Sequence, residues 1–158
     1  MKRVTLILLT FFLFGGWTHG SNNPLIFAYY FLATSTYGFA QANYAQDIAD
    51  AQAIGIDGFV VGAGGWTTGG QSFYKTWMTA LFAAAAAAAN NSDGTKFKVF
   101  VSAEVGGGAT GIYPADVKDM VNSFKGTVPA GGTGPSNTNY YWYQGLPMLT
   151  TSRGELGQ

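Results

Sequence analysis

Residues 96–111 read KFKVFVSAEVGGGATG. The run Phe97 to Ser102 has the β-branched and aromatic character of a buried strand. It carries Glu104 at its carboxyl end, and the chain then turns to glycine. Pro114 follows, with Val117, Met120, Val121 and Phe124 at i, i+3, i+4 and i+7, which predicts a helix. A strand, a glycine-rich loop and a helix make one βα unit.

The same unit precedes it twice. Leu25 to Leu32 is a continuous apolar run after Pro24, and a polar loop follows it from Ala33 to Ala40. Asn43 is the expected cap of a helix bearing Tyr44, Ile48 and Ala51, closed by Gly55 in the C′ position. Ile56 to Val61 is the second strand, and Gly62 to Gly70 is a loop around Trp66. Ser72 opens the next helix through Phe73, Trp77, Met78 and Leu81, and Ala83 to Ala89 prolongs it, alanine being the best helix former. The loop Gly126 to Asn139 separates the third unit from a fourth strand at 146–151, just after Tyr140 to Tyr143. Near-continuous apolar strands alternating with helices predict an α/β fold with a parallel sheet. A complete (β/α)₈ barrel needs about 250 residues. Residues 21–158 are therefore expected to form a partial TIM barrel, truncated after about three βα units and a fourth strand.

The first twenty residues are expected to be a signal peptide. Lys2 and Arg3 precede the apolar run Val4 to Phe14, and the small residues Thr18 and Gly20 precede Ser21. The run is short for a membrane span, so a retained anchor is the lesser alternative. The expected location is secreted, with no membrane association after cleavage. The whole chain balances 8 Lys and Arg against 8 Asp and Glu. Losing Lys2 and Arg3 leaves an acidic excess of two, which argues against a nucleic-acid partner. His19, the single histidine, leaves with the same segment, and there is no cysteine. A Ser-His-Asp triad, a cysteine nucleophile and a histidine-bound zinc are thereby excluded. No metal or other cofactor is expected.

Carboxylates and aromatics remain. In parallel α/β folds chemistry gathers at the carboxyl ends of the strands. That rule selects Glu104 and Glu155 as catalytic candidates. Tyr29, Tyr30, Trp66, Trp142 and Arg153 are the candidates for substrate binding, since aromatic faces stack on sugar rings. Asp57, at the amino end of its strand, reads as structural, whereas Asp47, Asp50, Asp116 and Asp119 read as solvated helix residues. Gly106 to Gly111 matches G-x-G-x-x-G, but on the third βα turn rather than the first and without an acid about 20 residues on, so a dinucleotide site is rejected. Gly62 to Gly70 lacks the GK[ST] of a P-loop. Asn90-Asn91-Ser92 is an N-glycosylation sequon.

Five segments in this order, IFAYYFLATSTYGF, DIADAQAIGIDGFVV, SFYKTWMTALFAAAAAA, FKVFVSAEV and YYWYQGLPMLTTSRGE, resemble the N-terminal half of glycoside hydrolase family 71, the endo-α-1,3-glucanases or mutanases. The resemblance runs from about Leu25 to Glu155. It implies a (β/α)₈ barrel that hydrolyses α-1,3-glucan, a neutral polysaccharide, with an acid pair on a strand beyond Gln158. The chain departs from the family pattern in four places. Tyr29 stands where the family usually has histidine, Gly62 where it often has asparagine, and Glu104 in the aspartate position of S-F-D. Thr151-Ser152-Arg153-Gly154 replaces T-F-x-G. On this reading the chain is a glycosidase fragment, inactive alone. The alternative is a non-catalytic secreted carbohydrate-binding or structural α/β domain.

Overall fold

A computed structural model describes residues 24–64, 66, 73–104, 114–127 and 136–152. The expected signal segment and the Gly106–Gly111 motif lie outside them, as does most of the loop around Trp66. The elements run β1 (Phe27–Phe31), α1 (Gln41–Ala53), β2 (Gly58–Ala63), α2 (Phe73–Ala87), β3 (Lys98–Glu104), α3 (Pro114–Phe124), β4 (Trp142–Tyr143), β5 (Leu146–Pro147) and β6 (Leu149–Ser152). Four strands form one parallel sheet in the order β1-β2-β3-β6. The chain is thus a mixed α/β fold built on a parallel sheet, with β2 and β3 inside it. Their apolar continuity has a direct cause. Phe59, Val61, Ala63, Val99, Val101 and Ala103 are buried on one face and Gly62, Phe100 and Ser102 on the other, and a strand covered on both faces has no solvent side to make polar.

The fourth strand departs from the sequence reading. It is split. Tyr140 already lies beside Val99 in a parallel bridge, and Tyr141 N–H donates to Val99 C=O at 3.0 Å. The chain then leaves the sheet as the β4–β5 hairpin and returns at Met148, whose N–H donates to Tyr141 C=O at 3.0 Å. The cause is the two-residue turn Gln144-Gly145, with φ of 49° and 79°. Positive φ at both turn positions gives the backbone twist that a tight hairpin requires. Tyr140 Oη closes the excursion by donating to Met148 C=O at 2.7 Å.

The helices follow their apolar periodicity. In α1, Tyr44, Asp47, Ile48 and Ala51 are buried at i, i+3, i+4 and i+7. Gly55 (φ 82°) ends it with the paired bonds Ile56 N–H to Ala51 C=O and Gly55 N–H to Gln52 C=O, a Schellman cap. Asn43 is not the N-cap. It lies within the first turn, where its amide donates to Tyr37 C=O at 2.7 Å and ties down the preceding loop. In α2 the alanine run stays helical to Ala87, and Ala84 and Ala85 are wholly buried, so α1 packs closely alongside. In α3, Met120 and Phe124 are buried while Val117 and Val121 are partly so. Among the described residues no helix is long and apolar enough to cross a membrane.

Phe59 is a centre of the buried core on the helix side of the sheet. The Tyr30 ring stacks on it at 4.5 Å, and Phe97 meets it edge-on at 4.8 Å. Removing a buried aromatic of this kind costs about 3–5 kcal/mol. Urea denaturation should therefore show Phe59→Ala destabilised by about that amount. Ile54→Ala, at a side chain 73 % exposed, should stay within about 0.5 kcal/mol of wild type.

Candidate active site

Residues paired across a sheet share a face, and successive residues along one strand alternate. The side away from α1 accordingly carries Phe27, Tyr29 and Phe31 from β1, Val60 and Gly62 from β2, Phe100 and Ser102 from β3, and Thr150 from β6. Near the amino ends it is filled, because Phe27, Phe100 and Tyr141 pack together with centroids 4.9–5.7 Å apart. Towards the carboxyl ends Gly62 and Ser102 are buried as well, and Tyr29 is the exposed residue of this face. Tyr29 is 41 % exposed, and its ring lies over Gly62, where any Cβ would collide with the Tyr29 hydroxyl. Glycine at 62 is what gives Tyr29 this position.

Polar groups collect at the same level. Gly62, Ser102 and Thr150 are in register across three strands. Among the described residues Thr150 Oγ1 is buried without a hydrogen-bond partner, a condition that costs about 1–3 kcal/mol and calls for a reason. One step further, Glu104 ends β3 opposite Ser152 of β6. The rim therefore brings the backbone of Glu104 to the end of the surface that bears Tyr29 and the orphaned threonine hydroxyl. Arg153 and Glu155, the next candidates along the chain, lie outside the described residues.

Three other expected binding residues sit elsewhere. Tyr30 alternates to the helix side and donates from Oη to Asp47 at 2.6 Å. Burial first, and then that bond to a carboxylate, push its phenol well above the usual tyrosine range. It is a strut between β1 and α1, not a ring offered to a sugar. Trp66 is fully buried, edge-on to Phe124, and its indole N–H donates to Asp119 at 2.7 Å. It presents no open face for stacking. Trp142 is half-buried in the β4–β5 hairpin and donates to Lys125 C=O at 3.2 Å. Its neighbour Tyr141 is hydrogen-bonded to Val99 C=O, roughly 16 Å along the strand from Glu104 at about 3.3 Å per residue.

The helix carboxylates also need correction. Asp47 is 8 % exposed and accepts from both Tyr30 and Ser35, the latter at 2.8 Å. Asp116 is buried too, at 2 % exposure. Asp50 is exposed and takes hydrogen bonds from Tyr37 and Gln46, and Asp119 holds Trp66 and Lys75 together. Asp57 has the structural role expected, its carboxylate accepting from Ile26 N–H at 2.8 Å. Burial raises its pKa, partly offset by that bond.

A family model for glycosyl hydrolase family 71 matches residues 22–155. The chain belongs to glycosyl hydrolase family 71. Searches of curated proteins and of solved structures returned no match. A family 71 member is a glycosidase by family, and glycosidases work with paired carboxyl groups. Among the described residues no cluster of three or more His, Cys, Asp or Glu is placed to hold a metal ion. A shallow groove of about 320 Å³ runs between α3 and the β5–β6 edge, lined by Val117, Lys118, Val121 and Leu149 among others. It lies on the helix side and includes neither Tyr29 nor Thr150.

The Trp66–Asp119–Lys75 clamp ties the β2–α2 connection to α2 and α3. The Lys75 ammonium donates to Asp119 at 2.9 Å and stands 5.8 Å over the Trp66 ring. Hydrogen bonds from Lys75 and then Trp66 hold the Asp119 carboxyl below the usual aspartate range. A depressed folded-state pKa contributes stability that is complete above the unfolded value, about 3.9, and is lost as pH falls through the folded one. The pair is about half exposed, so its contribution is small and weakens with salt. Thermal melts between pH 5 and 3 should therefore fall more steeply for wild type than for Asp119→Asn, and added salt should narrow the gap.

Proposed function

We propose that this family 71 chain is the N-terminal part of the (β/α)₈ barrel of a secreted glycosidase that cleaves α-1,3-glucan. The observation that carries the proposal is the position of Glu104, which ends an inner strand of a parallel sheet where such folds gather their chemistry. The four strands are half of those a closed eight-stranded barrel requires. The α-1,3 linkage follows the resemblance to the mutanases. Export follows the layout of residues 1–20, with Lys2 and Arg3 ahead of an apolar run.

Glycosidic cleavage uses one carboxylic acid to protonate the departing oxygen and one carboxylate to activate water or attack the anomeric carbon. In this reading Glu104 faces the substrate beside a principal acid pair supplied by a later strand. Tyr29 stacks on a sugar ring, and Arg153 and Glu155 remain candidates on the sequence reading alone. Of the aromatics considered from sequence, Tyr29 alone combines exposure with a place on the face away from α1. Tyr30, Trp66 and Trp142 serve the framework. The residues described here bind and orient substrate; hydrolysis needs the acid pair as well, so the chain by itself is inactive.

The test is turnover of α-1,3-glucan by the complete reading frame. Glu104→Gln should lower the rate about 10²–10⁴-fold, the range of a single acid or base. Tyr29→Ala should raise KM more than it lowers kcat. Wild-type turnover in Glu104→Gln would remove Glu104 from the site.

A further inference from the structure

The sequon Asn90-Asn91-Ser92 follows the end of α2. Its three side chains divide between two roles. Asn91 is 6 % exposed and faces inward. Its amide donates to Asp57 C=O at 3.1 Å and to Thr95 Oγ1 at 3.3 Å, and its side-chain oxygen accepts from Gln52 at 2.8 Å. The loop is drawn tight around it. Asn91 N–H donates to Thr95 C=O, Gly94 N–H returns to Asn91 C=O, and Asp93 accepts from both Thr95 N–H and Thr95 Oγ1. With the middle residue pinned inside, Asn90 and Ser92 are both exposed. The acceptor amide and the hydroxyl that defines the sequon are therefore presented to solvent together.

The loop also lies at a particular end of the sheet. Asn91 holds the carbonyl of Asp57, the residue before β2, and the loop leads into β3 at Lys98. It therefore sits at the amino ends of the strands, whereas Glu104 is at the carboxyl end of β3. A bulky substituent here stays clear of the rim. Gln52 donates to Ala89 C=O at 3.0 Å and so joins the end of α1 to this loop.

We propose that Asn90 is an N-glycan attachment site, placed at the amino ends of the strands where the sugar leaves the carboxyl rim open. The inference rests on the export reading above. The donor is an oligosaccharide carried on a lipid pyrophosphate, delivered by a transferase of the secretory lumen. A bond forms between Asn90 Nδ2 and C1 of the first sugar, and the C1–O bond to pyrophosphate breaks. The lipid pyrophosphate leaves with that electron pair, and Nδ2 gives up one proton.

The experiment is expression of the full chain in a eukaryotic secretory host, with a second sequon appended at the C-terminus to report entry into the lumen. Gel mobility is read before and after peptide-N-glycosidase, with mass spectrometry of the peptide containing Asn90. The expected product carries two glycans, with the aspartate scar of enzymatic release at Asn90. Asn90→Gln and Ser92→Ala should each carry the reporter glycan alone, and Ser92→Thr should keep both. Both removals alter exposed side chains, so secretion should persist. A glycosylated reporter beside an unmodified Asn90 overturns the proposal while leaving the export reading intact. A chain with neither glycan overturns the two together.

Discussion

Parallel pairing on both sides of β2 is the constraint on which the rest of this structure depends. Each residue from Gly58 to Phe31's partner Gly62 is matched to β1, and the whole strand is matched to β3. A parallel neighbour cannot be reached by a tight turn, so the chain must cross over, and α1 and α2 are those crossovers. Their apolar stripes then cover one face of the sheet, with Phe59 in the buried core on that face. The same direction of travel brings the carboxyl ends of all four strands to one rim. Glu104 is at the rim because β3 is parallel to its neighbours.

The two faces do different work. The helix side is sealed by aromatic stacking, including Phe82 on Phe124 at 4.6 Å, and by carboxylates bound to phenol, hydroxyl, indole and ammonium groups. The other side is packed by Phe27, Phe100 and Tyr141 near the amino ends, and further along it Tyr29 is exposed above the buried Gly62. Tyr29 and Tyr30 are adjacent in sequence, yet alternation gives them opposite fates. One lies over Gly62 on the side away from α1, and the other is a strut to Asp47.

Much of this was legible in the sequence because burial on both faces leaves a plain mark. The runs at 25–32, 56–61 and 97–102, Gly55 as a helix end and Pro114 as a helix start all correspond to the structure. The split fourth strand was harder to read. Pro147 and the apolar residues around it fit a strand, while the information lay in Gln144-Gly145, a weaker hairpin signal than Asn-Gly. The buried Asp47 did have a signal. It falls three residues after Tyr44 and one before Ile48, inside the apolar stripe of α1, and a carboxylate in that stripe must be satisfied from the sheet. Trp66 gave no such warning. Its partners Lys75 and Asp119 come from two later helices, and only the folded chain brings them together.

Family membership makes the chain a glycosidase by descent, and the proposal places the substrate at its carboxyl rim. The most direct measurement is linkage discrimination by the protein expressed from the complete reading frame, read as reducing ends released from α-1,3-glucan and from β-1,3-glucan under the same conditions. The account predicts steady release from the α-linked polymer and none from the β-linked one. Tight binding of α-1,3-glucan with no sugar released, or release from the β-linked polymer alone, would contradict it.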